Sequence, residues 1–145
     1  MTETPAGDTL ARMFWRRVER SGDHPAQMVK RGRRWETLDW SRVGTRVREL
    51  ALGLLALGLR AGEAVAILSQ SRAEWVQADF AVFSVGGITV PIYPSYTAEQ
   101  VAYIVNDSEA RLLIVEDRAQ LGDGLHGIAR VVRGDASQRG HARVL

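Results

Sequence analysis

The sequence predicts an α/β fold built around a parallel β-sheet. Apolar runs without alternation, typical of strands that are covered on both faces, occur in AVAILS (64–69), ITVPIY (88–93) and RLLIVE (111–116). Amphipathic helical patterns lie between them. Because this order and spacing requires crossover connections, we expect a right-handed parallel βαβαβ sheet with flanking helices, preceded by an N-terminal helix and a hairpin.

The N-terminal helix and the hairpin are predicted from caps and turn residues. Asp8 or Thr9 can cap the helix, and the SGDHP segment ends it. The apolar face of this helix is predicted to hold Leu10, Met13, Phe14 and Val18. In the following segment, AQMVKRGRRWETL, two extended runs meet at Arg31-Gly32 or at Gly32-Arg33, which indicates a hairpin.

A long leucine-rich helix is predicted next. Asp39 stands where its N-cap belongs, and Gly58 stands where its C-terminal cap belongs. Apolar residues at spacings of four and three form one stripe, which consists of Val43, Val47, Leu50, Leu54 and Leu57. Gly53 inside the helix costs up to about 1 kcal/mol relative to alanine, so we expect a close packing contact there to compensate.

Capping boxes are predicted to start both crossover helices. Ser71 and Glu74 form the first box, and Thr97 and Gln100 form the second. The inward residues are Trp75, Ala78, Val82 and Val85 in the first helix, and Val101, Ile104 and Val105 in the second. Pro91 lacks an amide hydrogen, which confines its strand to an end or an edge of the sheet.

Two weaker features follow the third strand. Asp117 is a plausible cap for a short helical turn, and IARVV (128–132) is a candidate fourth strand. The glycine-rich segment GDGLHG (122–127) follows no strong strand and carries no lysine, so a loose turn is favoured over a phosphate-binding loop.

Composition points to a globular protein of the cytoplasm. The chain of 145 residues is 46% hydrophobic and 25% charged, as soluble domains are. The absence of cysteine excludes disulfides, thiolate metal sites and cysteine nucleophiles, and it suits a reducing compartment. The polar, acidic start is unlike a secretory signal, and the richest apolar run, at 50–59, is too short to cross a bilayer. Peripheral membrane contact stays open.

The basic residues are concentrated early in the chain, although the net charge is only +2. They are Arg16, Arg17, Arg20, Lys30, Arg31, Arg33 and Arg34. A solvated arginine-rich face is favoured over a groove that tracks phosphates, since no aromatic and glycine pattern of an RNA-binding sheet accompanies them. We therefore expect no nucleic-acid partner.

Tyr93, Ser95 and Tyr96 are the candidate substrate-binding residues. They follow a predicted parallel strand, and open α/β sheets bind ligands beyond the carboxyl ends of their strands. The structural interpretation is favoured over this role: Gly86 and Gly87 end one helix and turn the chain, and the two prolines shape and end the strand before the next helix.

Other polar residues give weaker signals. Ser69 and Ser71 occupy a strand-to-helix turn, but the flanking glycines of a nucleophile elbow are missing. Glu116 and Asp117 fit a polar strand end better than a metal or ribose site. Surface positions are expected for the three histidines, His24, His126 and His141, which lack metal-ligand spacing.

Two long stretches resemble the amino-terminal part of the adenylate-forming superfamily, which comprises AMP-binding acyl-CoA synthetases, luciferases and nonribosomal-peptide adenylation domains. LDWSRVGTRVRELALGLLALGLRAGEAVAIL is similar to the signature that leads into the family's long helix, with Asp39 in place of the usual threonine or serine. FSVGGITVPIYPSYTAEQVAYIVNDSEARLLIVED is similar to the next signature, V-P-hydrophobic-x-P followed by a helix and a strand. Within the superfamily, SRAEW and VPIYPSYTAEQVAYIVNDS look most like long-chain fatty acyl-CoA synthetases.

The resemblance implies a partial domain. It divides the chain into a flexible N-terminus (1–7), a partial AMP-binding-type α/β domain (8–133) and a polar tail (134–145). The implied function is that of the N-terminal fragment of an ATP-dependent long-chain fatty acid-CoA ligase, which forms an acyl-adenylate and then an acyl-CoA. Fatty acid, ATP, Mg and CoA are the implied ligands of the full-length family.

The family's catalytic segments have no match in this sequence. They are a Ser/Thr/Gly-rich loop with lysine, an adenine-binding segment, a metal-binding glutamate, a ribose-binding aspartate and a lysine of a mobile carboxy-terminal domain. We therefore assign no catalytic, cofactor-binding or metal-binding residue and expect the chain alone to be inactive. A non-enzymatic α/β binding module for an acyl chain or nucleotide, or an interaction module, is the alternative.

Overall fold

A computed structural model describes residues 7–116 and the backbone of 131–133. In chain order the elements are α1 (Leu10–Ser21), β1 (Pro25–Arg31), β2 (Arg34–Asp39), α2 (Trp40–Ala56), β3 (Ala64–Leu68), α3 (Ala73–Ser84), β4 (Ile88–Ile92), α4 (Ala98–Asp107), β5 (Leu112–Val115) and β6 (Val131–Arg133). The predicted α/β class, with a helix and a hairpin before the sheet, is confirmed. The features predicted at 1–6, 117–130 and 134–145 lie outside the described residues.

β3 to β6 form one parallel sheet with the strand order β4-β3-β5-β6. The chain leaves β3 for β4 on one side and then crosses to β5 on the other side of β3. This reversal of direction is a topological switch point between β3 and β5. The weak fourth strand predicted at 128–132 corresponds to β6, which pairs with β5 in parallel.

β4 is an edge strand of the described sheet, which agrees with the position predicted from Pro91. Pro91 lies opposite Ile67 of β3, and the other side of β4 has no strand partner among the described residues. A proline at this place interrupts no ladder on the outer side.

The sheet is covered on both faces. Consecutive residues of β3 are buried in different clusters, Val65 with α1, α2 and α3, and Ala66 with α4. All five residues of β3 are buried, because a central parallel strand alternates between two apolar layers.

The caps of α2 are those predicted. The Asp39 carboxylate accepts a hydrogen bond from the Arg42 amide at 2.7 Å. At the other end Gly58 adopts φ +86°, and its amide donates to the Leu55 carbonyl at 2.9 Å. The Leu59 amide donates to the Leu54 carbonyl at 3.1 Å, which completes a Schellman motif.

The apolar stripe of α2 is confirmed in part. Val43, Val47 and Leu54 are buried, Leu57 is half-buried and Leu50 is exposed. Ala51 is buried instead of Leu50, because the buried face of α2 is displaced from the predicted stripe toward Gly44 and Ala51.

The glycine predicted to make a close contact in α2 is the wrong one. A Cβ atom at Gly53 would have nothing within 4 Å, so no packing compensates for this glycine. At Gly44 a Cβ would lie 2.7 Å from Val18 Cγ1, and this is where α1 and α2 approach each other. The glycine that the packing requires therefore lies nine positions earlier, at a buried site.

α1 begins after Thr9, whose hydroxyl accepts a hydrogen bond from the Arg12 amide at 3.2 Å. Its predicted apolar face is partly wrong, because Leu10 and Met13 are 58% and 51% exposed. The packed face is centred between Phe14 and Trp15, so Met13 projects from the opposite side.

The two predicted capping boxes have different outcomes. Thr97 and Gln100 form theirs, with the Thr97 amide donating to Gln100 Oε1 at 2.9 Å and the Gln100 amide donating to Thr97 Oγ1 at 3.3 Å. Ser71 does not cap α3, which starts one residue later with Arg72 as an N-cap that makes no side-chain cap bond. The Glu74 side chain binds arginine instead.

The predicted hairpin is confirmed. β1 and β2 pair in antiparallel fashion and are joined by Gly32-Arg33, with Gly32 at φ +60°. This is the positive-φ conformation that glycine adopts without strain at the first position of a two-residue hairpin loop.

Candidate functional site

The candidate site lies where β3 and β5 end, at the switch point of the sheet. The Ser69-Gln70-Ser71-Arg72 segment follows β3, and Glu116 follows β5. The Glu116 amide donates to the Leu68 carbonyl at 3.2 Å, which continues the pairing of the two strands by one step. Ligands of open α/β sheets bind beyond this edge.

The Glu116 carboxylate fastens the two strand ends together. Its Oε2 accepts hydrogen bonds from the Gln70 amide at 2.9 Å and from Ser69 Oγ at 3.3 Å. Its Oε1 accepts a hydrogen bond from Arg72 Nη1 at 2.8 Å. The prediction that this strand end is structural is therefore favoured over a metal or ribose role for Glu116, whereas Asp117 lies outside the described residues.

Arg72 and Glu74 extend these contacts along α3. Arg72 Nε donates to Glu74 Oε2 at 2.9 Å. Glu74 Oε1 is buried without a hydrogen bond, and Arg31 Nη2 of the hairpin lies 3.6 Å from it. The start of α3 is thus tied electrostatically to both β5 and the hairpin.

The hairpin end of this arrangement includes Glu36. Its carboxylate accepts hydrogen bonds from Arg31 Nε at 3.3 Å and from Arg42 Nη2 at 2.8 Å. We refer to the whole series of alternating charges as the ion-pair chain. It consists of Arg42, Glu36, Arg31, Glu74, Arg72 and Glu116.

The ion-pair chain shifts the pKa values of Glu74, Arg72 and Glu36. Burial raises the pKa of Glu74, but the hydrogen bond from Arg72, a backbone hydrogen bond and the charges of Arg72 and Arg31 together outweigh burial, so this pKa lies below its ordinary value. Hydrogen bonding to Glu74 and the nearby carboxylates raise the pKa of Arg72 against the effect of burial. The hydrogen bond from Arg42 is the main cause of a lowered pKa at Glu36. All three side chains are held in their charged forms.

The serines at this edge are not arranged for nucleophilic catalysis. Ser69 Oγ donates to the Gln70 carbonyl at 3.0 Å and is also near the Glu116 carboxylate, while Ser71 is exposed. His24, the histidine within residues 7–116, is exposed as predicted and follows α1. A serine nucleophile needs a base that is free to take its proton, and the Glu116 carboxylate near Ser69 already accepts hydrogen bonds from the Gln70 amide and Arg72.

The candidate residues Tyr93, Ser95 and Tyr96 follow the edge strand β4. The Tyr93 and Tyr96 rings meet edge to face with centroids 5.6 Å apart, and the Tyr96 amide donates to the Tyr93 carbonyl at 3.1 Å. Tyr93 is 68% exposed and Tyr96 39% exposed, and Ser95 is exposed as well. The structure brings the two tyrosines together at the outer strand, while the polar cluster lies at the ends of β3 and β5.

The sequence signal for the polar cluster was incomplete. Ser69, Ser71 and Glu116 each stood at a strand end, but Arg72 carried no motif. One partner of Arg72, Glu116, lies 44 positions away in the chain. Patterns within a short segment of sequence do not predict contacts between residues so far apart. The cluster is identified by the three hydrogen bonds to the Glu116 carboxylate, which only the structure reveals.

Among the described residues, neither a group of three metal ligands nor a lysine lies at the switch point. Within residues 7–116, no three carboxylate or histidine side chains converge on one point that could hold a metal ion. The single lysine of the sequence, Lys30, lies on the hairpin strand β1 and not at the switch point.

Solved structures with this fold are adenylate-forming enzymes. A protein from Rhodopseudomonas palustris assigned as a long-chain-fatty-acid CoA ligase matches with a TM-score of 0.77 and 26% identity over 94% of this chain and 35% of its own. The O-succinylbenzoate coenzyme A synthetase MenE of Bacillus subtilis, solved with ATP and magnesium ion, matches with a TM-score of 0.73 and 19% identity over 91% of this chain and 35% of its own. The fold thus defines the class as that of the adenylate-forming enzymes.

The chain belongs to the AMP-binding enzyme family, whose model matches residues 14–142. The long-chain-fatty-acid–CoA ligase ACSBG2 of Rattus norvegicus is 37% identical over 119 residues, which are 82% of this chain and 18% of that protein. The long-chain-fatty-acid–CoA ligase FadD15 of Mycobacterium tuberculosis is 43% identical over 82 residues, which are 57% of this chain and 14% of that protein. The chain thus spans less than a fifth of the length of these relatives.

No helix within the described residues is long and apolar enough to cross a membrane.

Proposed function

We propose that the chain is the N-terminal portion of an ATP-dependent long-chain fatty acid-CoA ligase and is catalytically incomplete by itself. The observation that carries the proposal is the 37% identity to ACSBG2 over 82% of the chain. In the complete ligase, a fatty carboxylate oxygen would attack the α-phosphate of ATP with loss of pyrophosphate. The CoA thiol would then displace AMP from the acyl-adenylate. We place this ligase in the cytoplasm, as the lack of cysteine suggests.

The described residues would serve such a ligase as a scaffold. The ion-pair chain fixes the ends of β3 and β5 relative to α3 and the hairpin, at the edge of the sheet where ligands of α/β folds bind. Fixed strand ends reduce the ordering that a ligand must impose when it binds. The expected consequence is a rigid support for loops that come from elsewhere in the ligase.

Tyr93, Ser95 and Tyr96 remain our candidates for contact with the substrate. Their support is positional, because they leave the carboxyl end of a parallel strand and present two exposed rings and a hydroxyl. Contact with an acyl chain would bury the rings and favour binding by the apolar area removed from water.

A chimera tests the proposed function. The matching 82-residue segment of Mycobacterium tuberculosis FadD15 is replaced by the corresponding segment of this chain, and acyl-CoA formation is measured with a long-chain fatty acid, ATP and CoA. We expect the chimera to form acyl-CoA from that fatty acid. A folded chimera that forms none, beside an active parent, would count against the proposal.

Two variants of the chimera test the candidate contacts. Tyr93→Ala and Tyr96→Ala are expected to raise the KM for the fatty acid, whereas Tyr103→Ala, another exposed tyrosine, is the matched control. If all three substitutions change the KM for the fatty acid equally, Tyr93 and Tyr96 are not substrate contacts. The proposal for the chain as a whole would be unaffected.

A further inference from the structure

The outer face of the β1–β2 hairpin is exposed and has an apolar centre. In the observed register Met28 lies opposite Thr37 and Lys30 lies opposite Trp35, so these four side chains share one face. Met28 and Trp35 are diagonal neighbours and are 64% and 63% exposed. The other face of the hairpin, which carries the buried Leu38, packs on the core.

Trp35 differs from Trp15 and Trp40, whose rings are each covered by an arginine side chain. The Arg48 guanidinium lies 5.4 Å from the Trp15 ring centroid, and the Arg17 guanidinium lies 5.5 Å from that of Trp40. Within the part of the chain that the structure describes, Trp35 has no ring or cation contact. A large apolar ring is thus left in water although it could have been packed.

Unpaired cations surround the two apolar side chains. Lys30 is on the same face and Arg33 is exposed at the turn, whereas the exposed Arg34 pairs with Arg31 on the other face. None of the three has an ion pair within residues 7–116. The acidic side chain of the two strands at this end, Glu36, lies on the opposite face and is already bound by arginines.

We propose that this hairpin face, which consists of Met28, Lys30, Trp35 and the adjoining turn residue Arg33, docks the protein on the surface of an anionic lipid bilayer. Tryptophan rings favour the boundary between headgroups and acyl chains, and methionine adds apolar area beside the ring. Lysine and arginine are attracted to the negative potential of anionic headgroups. One face provides both contributions.

Two other occupants fit the face less well. Single-stranded nucleic acid stacks on successive aromatic rings, whereas the neighbour of Trp35 is the flexible thioether of Met28. A second copy of the chain meeting through the same face would bring Lys30 and Arg33 against identical cations. An anionic bilayer accommodates both the cations and the two apolar side chains.

Vesicle binding tests this proposal, and the measurement needs no nucleotide or fatty acid, so it is independent of the proposed function. The 145-residue chain is sedimented with vesicles of phosphatidylcholine alone or mixed with phosphatidylglycerol. We expect binding to the mixed vesicles only, weakened by added salt. The double variant Lys30→Gln/Arg33→Gln is expected to bind about 30-fold more weakly, at about 1 kcal/mol for each cation.

A matched control separates the hairpin from the net charge. The double variant Arg20→Gln/Arg60→Gln removes the same charge from exposed positions elsewhere and is expected to bind like the parent. Equal losses in both double variants, or equal sedimentation with both kinds of vesicle, would overturn the proposal.

The ring itself is tested by two substitutions at Trp35. Trp35→Ser is expected to lower vesicle affinity at least about 10-fold through the lost apolar area. Trp35→Phe is expected to keep most of the affinity and to abolish the quenching of tryptophan fluorescence by brominated lipid. Thermal melts check that both variants fold. Retained quenching in Trp35→Phe would overturn the proposal. Binding of the chain to an oligonucleotide but not to vesicles would also overturn it. So would a dimer of the chain that Trp35→Ser dissociates without changing vesicle binding.

Discussion

At the scale of single residues, Gly44 determines how closely α1 and α2 approach. A Cβ atom there would lie 2.7 Å from Val18 Cγ1 and 3.2 Å from Val18 Cγ2. Valine is stiff about χ1, so it cannot turn both methyl groups away. Gly44→Ala is therefore expected to lower the free energy of unfolding by about 1–3 kcal/mol, which urea denaturation measures.

Gly53→Ala is the matched control, because it makes the same change in the same helix at a position with open space. It is expected to raise the free energy of unfolding by up to about 1 kcal/mol through helix propensity. The double variant Val18→Ala/Gly44→Ala should recover part of the loss. If Gly44→Ala and Gly53→Ala change stability in the same direction, the contact between α1 and α2 does not depend on Gly44.

At the scale of elements, the caps show where sequence patterns are reliable. Asp39 and Thr97 were predicted as N-caps, and both accept hydrogen bonds from amides three residues on, because these contacts form within one helical turn. Ser71 fits the same pattern but is not used. Glu74, the partner that the capping-box pattern predicts for Ser71, instead accepts a hydrogen bond from Arg72 and lies near Arg31. Arg31 and Glu74 are 43 positions apart, so no local pattern predicts their contact.

The same distinction holds for strands and helix faces. Apolar runs and Pro91 predicted the parallel strands and the edge position of β4, since burial on two faces and a missing amide hydrogen are properties of the segment itself. The exposure of Met13 and the close contact at Gly44 depend on how helices pack against each other, which the pattern of one helix does not specify.

Substitutions at the two predicted caps test this difference. Asp39→Ala is expected to cost about 1 kcal/mol of unfolding free energy, because the Arg42 amide loses its partner. Ser71→Ala is expected to change stability by less than about 0.5 kcal/mol, since the serine is exposed and does not cap α3. Both are measured by thermal and urea denaturation. A cost at Ser71 equal to that at Asp39 would show that the serine caps the helix in solution.

At the scale of the whole molecule, the ion-pair chain connects elements from α2 to the end of β5. Arg72 lies between two carboxylates that are 17% and 20% exposed. Arg72→Met leaves both without their closest cation and is expected to lower the free energy of unfolding by about 1–2 kcal/mol near pH 7, because the site is only partly shielded from water. Arg60→Met, at an exposed arginine, is the control and should change it by less than about 0.5 kcal/mol.

The pH dependence of this loss follows from Glu74. Its pKa is lowered in the folded protein, so its contribution to stability is present above its unfolded-state pKa and is lost as the pH falls through the folded-state pKa. The difference between Arg72→Met and the parent should therefore shrink in acid, as Glu74 becomes protonated and no longer needs a cation. A difference that stays constant from neutral to acidic pH would mean that Arg72 does not stabilise the fold through its ion pair with Glu74.

The proposed incompleteness of the chain predicts the outcome of a catalytic assay. Transfer of the adenylyl group to a carboxylate brings two anions together, which requires cationic groups or metal ions that stabilise the charge of the transition state. Within residues 7–116, Arg72 at the switch point is already paired with two carboxylates, and no group of three metal ligands converges. The purified 145-residue chain is therefore expected to show no exchange of labelled pyrophosphate into ATP with any fatty acid, while the FadD15 chimera does. A mock purification and the Arg72→Met variant are the controls. Exchange that the chain alone shows, that the mock purification lacks and that Arg72→Met leaves unchanged would point to catalytic groups outside the described residues. The proposal that this portion is only a scaffold would then be wrong.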